Sequence, residues 1–332
     1  LAIFLGIIAA LFLSYFDYQV YTKFGPVIAV FCVIIMLVLF KWGTGQSSRP
    51  DARTWLSIGP INFQPSELVK IGFIITFGVH LDKVKEKINN IFSILQLGAH
   101  AAVPIVLVAA TGDMGSALVF MVIAIVMMFV AGVHWGYFLG GIALVGAATP
   151  LIWTYVLKQL QKDRFLALIY PDLYPDIIYQ QQRGLNAIGA GGITGQGLFK
   201  GAYTQAGAVP ESQNDMIFSV VGEELGFIGC ITALLLIVLI TVRIIYVGKK
   251  SSEQSTNLIC TGMAAMIIGQ MIINVGMCLM LLPVIGITLP FFSAGGSSNL
   301  CVYLGIGIVM SIYRHNCDTG AVNIRVYDSL KK

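Results

Sequence analysis

Stretches without a charged side chain recur along this chain, and they decide what it can fold into. Residues 1–16, 24–40, 88–112, 114–133, 135–157, 225–242, 258–282 and 284–313 are uncharged or nearly so. A helix needs about 20 apolar residues to cross the hydrocarbon core of a bilayer, and most of these runs are long enough. Residues 65–81 make a ninth, counted despite Glu67 and Lys70 because the remainder is apolar. With 57% of residues hydrophobic and 11% charged, the chain lacks the polar surface that a soluble domain of 332 residues requires. The runs predict an all-α polytopic membrane protein, a single membrane domain over 1–332 with nine transmembrane helices. The 284–313 run is read as a loop followed by one helix.

Charge sets the orientation. With the C-terminus cytoplasmic, the inner loops hold Lys23, then Lys83, Lys85 and Lys87, then Arg243, Lys249 and Lys250, then Arg314, Arg325, Lys331 and Lys332. The opposite short loops hold Lys41, Arg49 and Arg53, so the balance is eleven against three, as the positive-inside bias demands. Nine crossings then put Leu1 outside. The chain also starts without methionine, so one further N-terminal span is expected, ten in the full-length protein, and residues 1–14 are not read as a signal peptide. The six cysteines form no CxxC pair and the four histidines are dispersed, which points to neither a disulfide framework nor a metal centre. The net charge of +4 has its explanation in the membrane topology, so no nucleic-acid partner is inferred.

Two segments interrupt the apolar runs. Residues 158–215 form a large extracellular loop containing "YQQQRGLNAIGAGGITGQGLFKG" and ending in "PESQND". Loops of this length in compact proteins are usually functional. Gly184, Gly189, Gly191, Gly192, Gly195 and Gly197 permit turns and close backbone approach, and the apolar residues between them predict a folded, membrane-hugging cap. The second segment, "LLPVIGITLPFFSAGGSSNL" (281–300), carries Pro283 and Pro290, then Gly295 and Gly296 before Ser297 and Ser298. It reads as a re-entrant loop, since non-helical backbone at membrane depth survives only against protein or a wet cavity.

Ionisable residues within spans are costly and default to functional hypotheses. Glu67 and Lys70 stand three apart and share a helix face; Asp113 begins another span and is within reach of Lys70; Glu223 and Glu224 follow in "VVGEELGFIG". A substrate-cavity network and a salt-bridged packing knot both fit. Asp215 differs, because it lies at the outer surface where its helix enters the membrane. It can cap that helix. It also has a polar rim (Pro210, Glu211, Ser212, Gln213, Asn214) and, from the same loop, the cations Arg164, Arg183 and Lys200. A carboxylate beside cations at a membrane surface suits chemistry on an anionic, lipid-linked substrate.

Five segments occur in order: "RTWLSIGPINFQPSELVK", "GDMGSALVF", "AIGAGGITGQGL", "VPESQNDMIFSVVGEELGFIG" and "NVGMCLMLLPVIGITLPFFSAGGSS". With them the chain resembles the SEDS proteins (shape, elongation, division and sporulation), typified by RodA, FtsW and SpoVE, over essentially its whole length. The resemblance implies a peptidoglycan glycosyltransferase that polymerises lipid II on the outer face of the bacterial membrane. The implied partners are a class B penicillin-binding protein and the undecaprenyl-pyrophosphate-linked glycan. The catalytic aspartate of the family falls on Asp215, its intramembrane Glu and Lys on Glu67 and Lys70, its Gln-Pro-Asp aspartate on Asp113, and its loop arginine on Arg164. Gln213-Asn214 replace the commoner His-Thr, Thr111-Gly112 replace Gln-Pro, and Arg183-Gly184 stand where many members have Gln-Ser.

The implied mechanism is an inverting displacement. A sugar hydroxyl attacks the anomeric carbon of a lipid-linked saccharide and the lipid pyrophosphate leaves as a stable anion. One positioned base suffices, a contribution of ~10²–10⁴-fold. Asp215 is the expected base. Arg164, Arg183, Glu211, Ser297 and Ser298 are the expected substrate contacts, with or without a divalent cation, Mg or Mn. The alternatives are a lipid-linked precursor flippase, an ion-coupled transporter working through the buried charges, and a non-catalytic scaffold for the penicillin-binding protein. Docking of the partner's transmembrane helix is expected on 258–282, where Gly262, Gly269 and Gly276 recur every seven residues. The competing reading is that this small face packs on the chain's own helices.

Overall fold

Helices dominate the described residues, as hydrocarbon requires of spanning segments, because amides there must be satisfied within their own segment. The computed structural model describes residues 2–45, 52–59 and 61–329. Leu1, Arg49, Lys331 and Lys332, used for the topology, lie outside the described residues, as do the side chains of Cys317 and Arg325. The order is α1 (Ala2–Tyr15), α2 (Tyr18–Lys23), α3 (Gly25–Trp42), a hairpin of β1 (Leu56–Ile58) and β2 (Ile61–Phe63), α4 (Pro65–Lys83), α5 (Ile91–Ala110) and α6 (Met114–Val130). There follow α7 (Trp135–Leu151), α8 (Gln159–Ile169), α9 (Pro175–Gly191), α10 (Ala202–Gln205), α11 (Ile217–Lys250), α12 (Gln254–Cys278) and α13 (Gly296–Ser329).

Each of the nine apolar runs contains a helix. Six are long and apolar enough to cross a membrane: α3, α5, α7 with the turn that extends it to Val156, α11, α12 and α13 over Gly296–His315. Helices α1 and α6 are apolar but shorter, at 14 and 17 residues, and α4 has 19 residues but carries Glu67, Lys70, Asp82 and Lys83.

The chain packs as two compact units. The first comprises Leu1–Gly132, Val238–Gly269 and Gly295–Lys332. Within it α1 lies along α13, where Gly6 meets the Tyr303 ring and Gly307 meets the backbone of Ala10. Helix α4 is the buried centre, with Ile74, Phe77 and Leu81 wholly enclosed. Its small residues admit close neighbours: Gly72 faces Cys32 of α3, and Gly78 faces Ile259 of α12.

This packing corrects the expectation for 258–282. A Cβ on Gly262 would come within 2.6 Å of Ile74 Cγ2 and 2.7 Å of Met127 Sδ, and one on Gly269 within 3.1 Å of Val122 Cγ1. The small face is filled by α4 and α6 and is not open to a partner helix. Overpacking such a contact typically costs ~1–3 kcal/mol. Gly262→Val should therefore lower the thermal unfolding midpoint, while the folded fraction still co-purifies with any partner that wild type retains.

The second unit comprises Val133–Ile237 and Gln270–Ala294. Here α7 has no buried residue. The 158–215 loop is folded into α8, α9, α10 and ordered turns. Pro175 opens α9 at a position where its missing N–H costs nothing. Residues 279–295 are non-helical, as the two prolines dictate.

Candidate active site

Asp215 lies two residues before the first residue of α11, half-buried, in a turn over residues 211–216. Glu211 starts that turn in the left-handed region at φ 52°, and its carbonyl accepts from the N–H groups of Asn214 (3.0 Å) and Met216 (3.2 Å). Its carboxylate accepts from Asn214 Nδ2 at 2.8 Å. Three consecutive carbonyls of the turn are then held by one stretch of chain. The Ala294 N–H donates to Gln213 O at 2.8 Å, Ser293 Oγ to Asn214 O at 2.8 Å, and Asn274 Nδ2 to Asp215 O at 2.8 Å. Asn274 is fully buried and also donates to Ile287 O at 2.7 Å. The backbone that carries Asp215 is thus fixed independently of its carboxylate.

The same stretch ties down the arginine-bearing helices. Arg164 of α8 donates from a terminal guanidinium nitrogen to Val284 O at 3.0 Å. Gln181 of α9, 2% exposed, donates to Met277 O and Leu282 O, both at 2.8 Å. Three positions on, Gly184 has no room for a side chain: a Cβ there would fall on Met216 Cε and within 2.8 Å of Ser219 Oγ. That approach brings α9 against the residue after Asp215. The neighbouring Arg183 holds its guanidinium over the Tyr179 ring, 5.1 Å from the centroid. Lys200 is exposed farther along the loop.

Helix α11 is broken at Gly226, which takes φ 67° and ψ −166°. A continuous helix would send the N–H of Phe227 to Glu223 O and that of Ile228 to Glu224 O. Those carbonyls instead accept from Gln196 N (3.0 Å) and Gly197 N (2.9 Å), while Phe227 and Ile228 donate to Gly192 O (2.9 Å) and Ile193 O (3.2 Å). Two helix bonds are exchanged for four with the loop, so the two carbonyls and two N–H groups freed by the break all stay paired. The crossing needs glycine: a Cβ on Gly191 would fall on Gly222 O, and one on Gly195 on Glu224 O.

Both carboxylates serve this junction. Glu223, fully buried, accepts from Tyr203 N (2.6 Å), Thr204 N (3.0 Å) and Thr204 Oγ1 (2.6 Å); Glu224 accepts from Phe199 N at 2.9 Å. Through these bonds Glu223 and Glu224 fasten the loop to α11.

The remaining buried charges belong to the first unit. Lys70, wholly enclosed, pairs with Glu67 Oε1 at 2.8 Å on the same face of α4. Asp113, 3% exposed, does not reach Lys70. It caps α6 by accepting from Ser116 N at 3.0 Å, and takes Gln64 Nε2 at 2.9 Å and Ser66 Oγ at 3.2 Å. Ser297 is buried and bound to backbone, accepting from Gln64 N at 3.1 Å and donating to Asn62 O at 3.4 Å; Ser298 is buried beside it. Removing one partner of a buried ion pair typically costs ~3–5 kcal/mol, because it strands the other charge. Lys70→Met should accordingly lower the unfolding midpoint together with activity. Full stability with abolished turnover would assign Lys70 to the chemistry instead.

Among the described residues, no three His, Cys, Asp or Glu side chains gather in a metal-ligating cluster. The residues that sequence reasoning missed are Gln181, Asn274 and Ser293. For Asn274 and Ser293 the signal was a lone amide or hydroxyl within apolar sequence, which must find a partner when buried; Gln181, the middle of three glutamines, carried no such signal.

A family model for FtsW, RodA and SpoVE, described as cell cycle proteins, matches residues 1–318. Peptidoglycan glycosyltransferase MrdB of Escherichia coli (strain K12) is 28% identical over 314 residues, covering 94% of this chain and 83% of its own. Probable peptidoglycan glycosyltransferase FtsW of Geobacter sp. (strain M18) is 32% identical over 303 residues, with coverage of 89% and 80%. A solved chain of a peptidoglycan synthase complex that coordinates polymerization and crosslinking superposes with a TM-score of 0.81 at 26% identity, covering 95% of this chain and 88% of its own. On the family match and the FtsW relative together, the chain belongs to the SEDS family of FtsW, RodA and SpoVE.

Proposed function

We propose that this protein polymerises lipid II into glycan strands at the outer face of the bacterial cytoplasmic membrane, with Asp215 as the base. The observation that carries the reading is the pinned turn, which holds a half-buried carboxylate at the head of α11 through its backbone. Family membership and relatives named as peptidoglycan glycosyltransferases support it. Asp215 takes the proton of the acceptor sugar hydroxyl as that oxygen attacks the anomeric carbon of the donor. The bond to the lipid pyrophosphate breaks in the same step, inverting the centre. Arg164 and Arg183 are the candidates to bind the departing phosphates, whose charge a fixed guanidinium stabilises best in a water-poor site.

In this reading all nine helices cross the membrane, α4 with its charges paired inside the fold, and the C-terminus is cytoplasmic. A class B penicillin-binding protein cross-links the product; the resemblance to a chain from a complex that couples polymerization with crosslinking supports that partnership. A carrier is the less favoured reading. Carriers of that design use broken helices in matching positions of two halves, near mid-membrane, whereas the break in α11 is bonded to the loop that leads to Asp215. The test is purified full-length protein with its partner, given labelled lipid II and assayed for polymer on a gel. Transbilayer movement of lipid II without polymer would overturn the reading in favour of a flippase.

A further inference from the structure

Two cavities in the first unit lie end to end between α3, α4 and α5, one of about 140 Å³ and one of about 160 Å³. Ala29, Thr76 and His100 line both, so they form one groove. Its upper part is walled by apolar side chains such as Met36, Val69 and Phe73. Its lower part is lined by Lys83, His80 and the first turn of α3 at Gly25 and Pro26. The two histidines are dispersed in sequence but meet here, Nδ1 to Nδ1 at 2.9 Å, so one ring donates and the other accepts. Lys83 is exposed and, among the described residues, has no ion-pair partner.

We infer that this groove is a binding site for one anionic phospholipid, with an acyl chain in the apolar part and the phosphate at Lys83 and the start of α3. Three features select that occupant. An apolar cavity does not hold water, and its walls lack contacts until an apolar group fills it. Along α4 from Val69 to Lys83 the groove is about 21 Å long at ~1.5 Å per residue, enough for one leaflet's chain, ~15 Å or half the hydrocarbon core. At the mouth, the Lys83 ammonium, without an ion-pair partner among the described residues, favours negative charge, with Lys85 and Lys87 close by in sequence. The site is separate from Asp215, and its occupancy does not depend on the catalytic reading.

The test is native mass spectrometry of the full-length protein in mild detergent, titrated with phosphatidylglycerol and, separately, with phosphatidylcholine. One phosphatidylglycerol should be retained about fivefold more tightly than phosphatidylcholine, the size of one lysine–anionic lipid contact. Excess inorganic phosphate should not displace it. Lys83→Ala changes only an exposed side chain, so it should fold normally and lose the preference. Ala29→Trp, which blocks the joint between the cavities, should lose retention of both lipids. Equal retention of the two lipids, or the same preference in Lys83→Ala, would mean bulk boundary lipid only and overturn the assignment. Failure to retain any lipid, as when another protein segment fills the groove, overturns it as well.

Discussion

Asp215→Asn should give a folded, membrane-inserted protein that makes no glycan polymer from lipid II. The substitution is nearly isosteric, but the amide cannot take the proton of the acceptor hydroxyl. A positioned base is worth ~10²–10⁴-fold, so the remaining rate should sit at the floor of a gel assay. The fold should survive, because the turn is held at the carbonyls of Gln213, Asn214 and Asp215, which the substitution leaves in place. Asp215→Glu provides the sharper control. It keeps the base but shifts it by one methylene, and a misplacement of ~1 Å can cost about 10²-fold. The expected order is wild type, then Glu, then Asn, with unfolding midpoints that agree across the three. Near-normal polymer from Asp215→Asn would leave the residue a structural role only.

The helices were legible because hydrocarbon leaves the backbone one economical solution, and an uncharged run of suitable length announces it. Legibility fell where the outcome depended on a partner distant in sequence. Gly262, Gly269 and Gly276 signal a close helix contact at any address; only the fold shows that Ile74, Met127 and Val122 fill the first two. The glycines of the loop were read as sites of close approach. Nothing local revealed that Gly191 and Gly195 would meet α11, or that Gly226 would break it, since a single glycine within an apolar helix is common and usually harmless. Asp113 is a milder case. Its position before "MGSALVF" fits a helix cap, and capping left its carboxylate for Gln64 and Ser66 rather than for Lys70.

Glu223→Ala should undock the loop that leads to Asp215 and abolish polymerisation while the membrane helices stay folded. The carboxylate accepts three hydrogen bonds, all from Tyr203 and Thr204. Stranding a buried donor costs ~1–3 kcal/mol, so losing three acceptor contacts removes several kcal/mol from one short segment. That exceeds what a surface loop of this length can lose and remain docked, and opening would be local rather than global. Glu223→Gln should be milder. Its carbonyl oxygen can serve Thr204, which makes two of the bonds, while its amide NH₂ opposes the Tyr203 N–H. Gly191→Ala reaches the same end by another route, since its methyl falls on the Gly222 carbonyl oxygen. Tryptic cleavage after Lys200 reads the loop directly, and the unfolding midpoint of the helices should move little. Cleavage and activity should therefore change together, with Glu223→Ala and Gly191→Ala strongest and Glu223→Gln between them and wild type. If Glu223→Gln were as inactive as Glu223→Ala while its loop resisted trypsin like wild type, the carboxylate would belong to the chemistry. The break in α11 would then need another reason to exist.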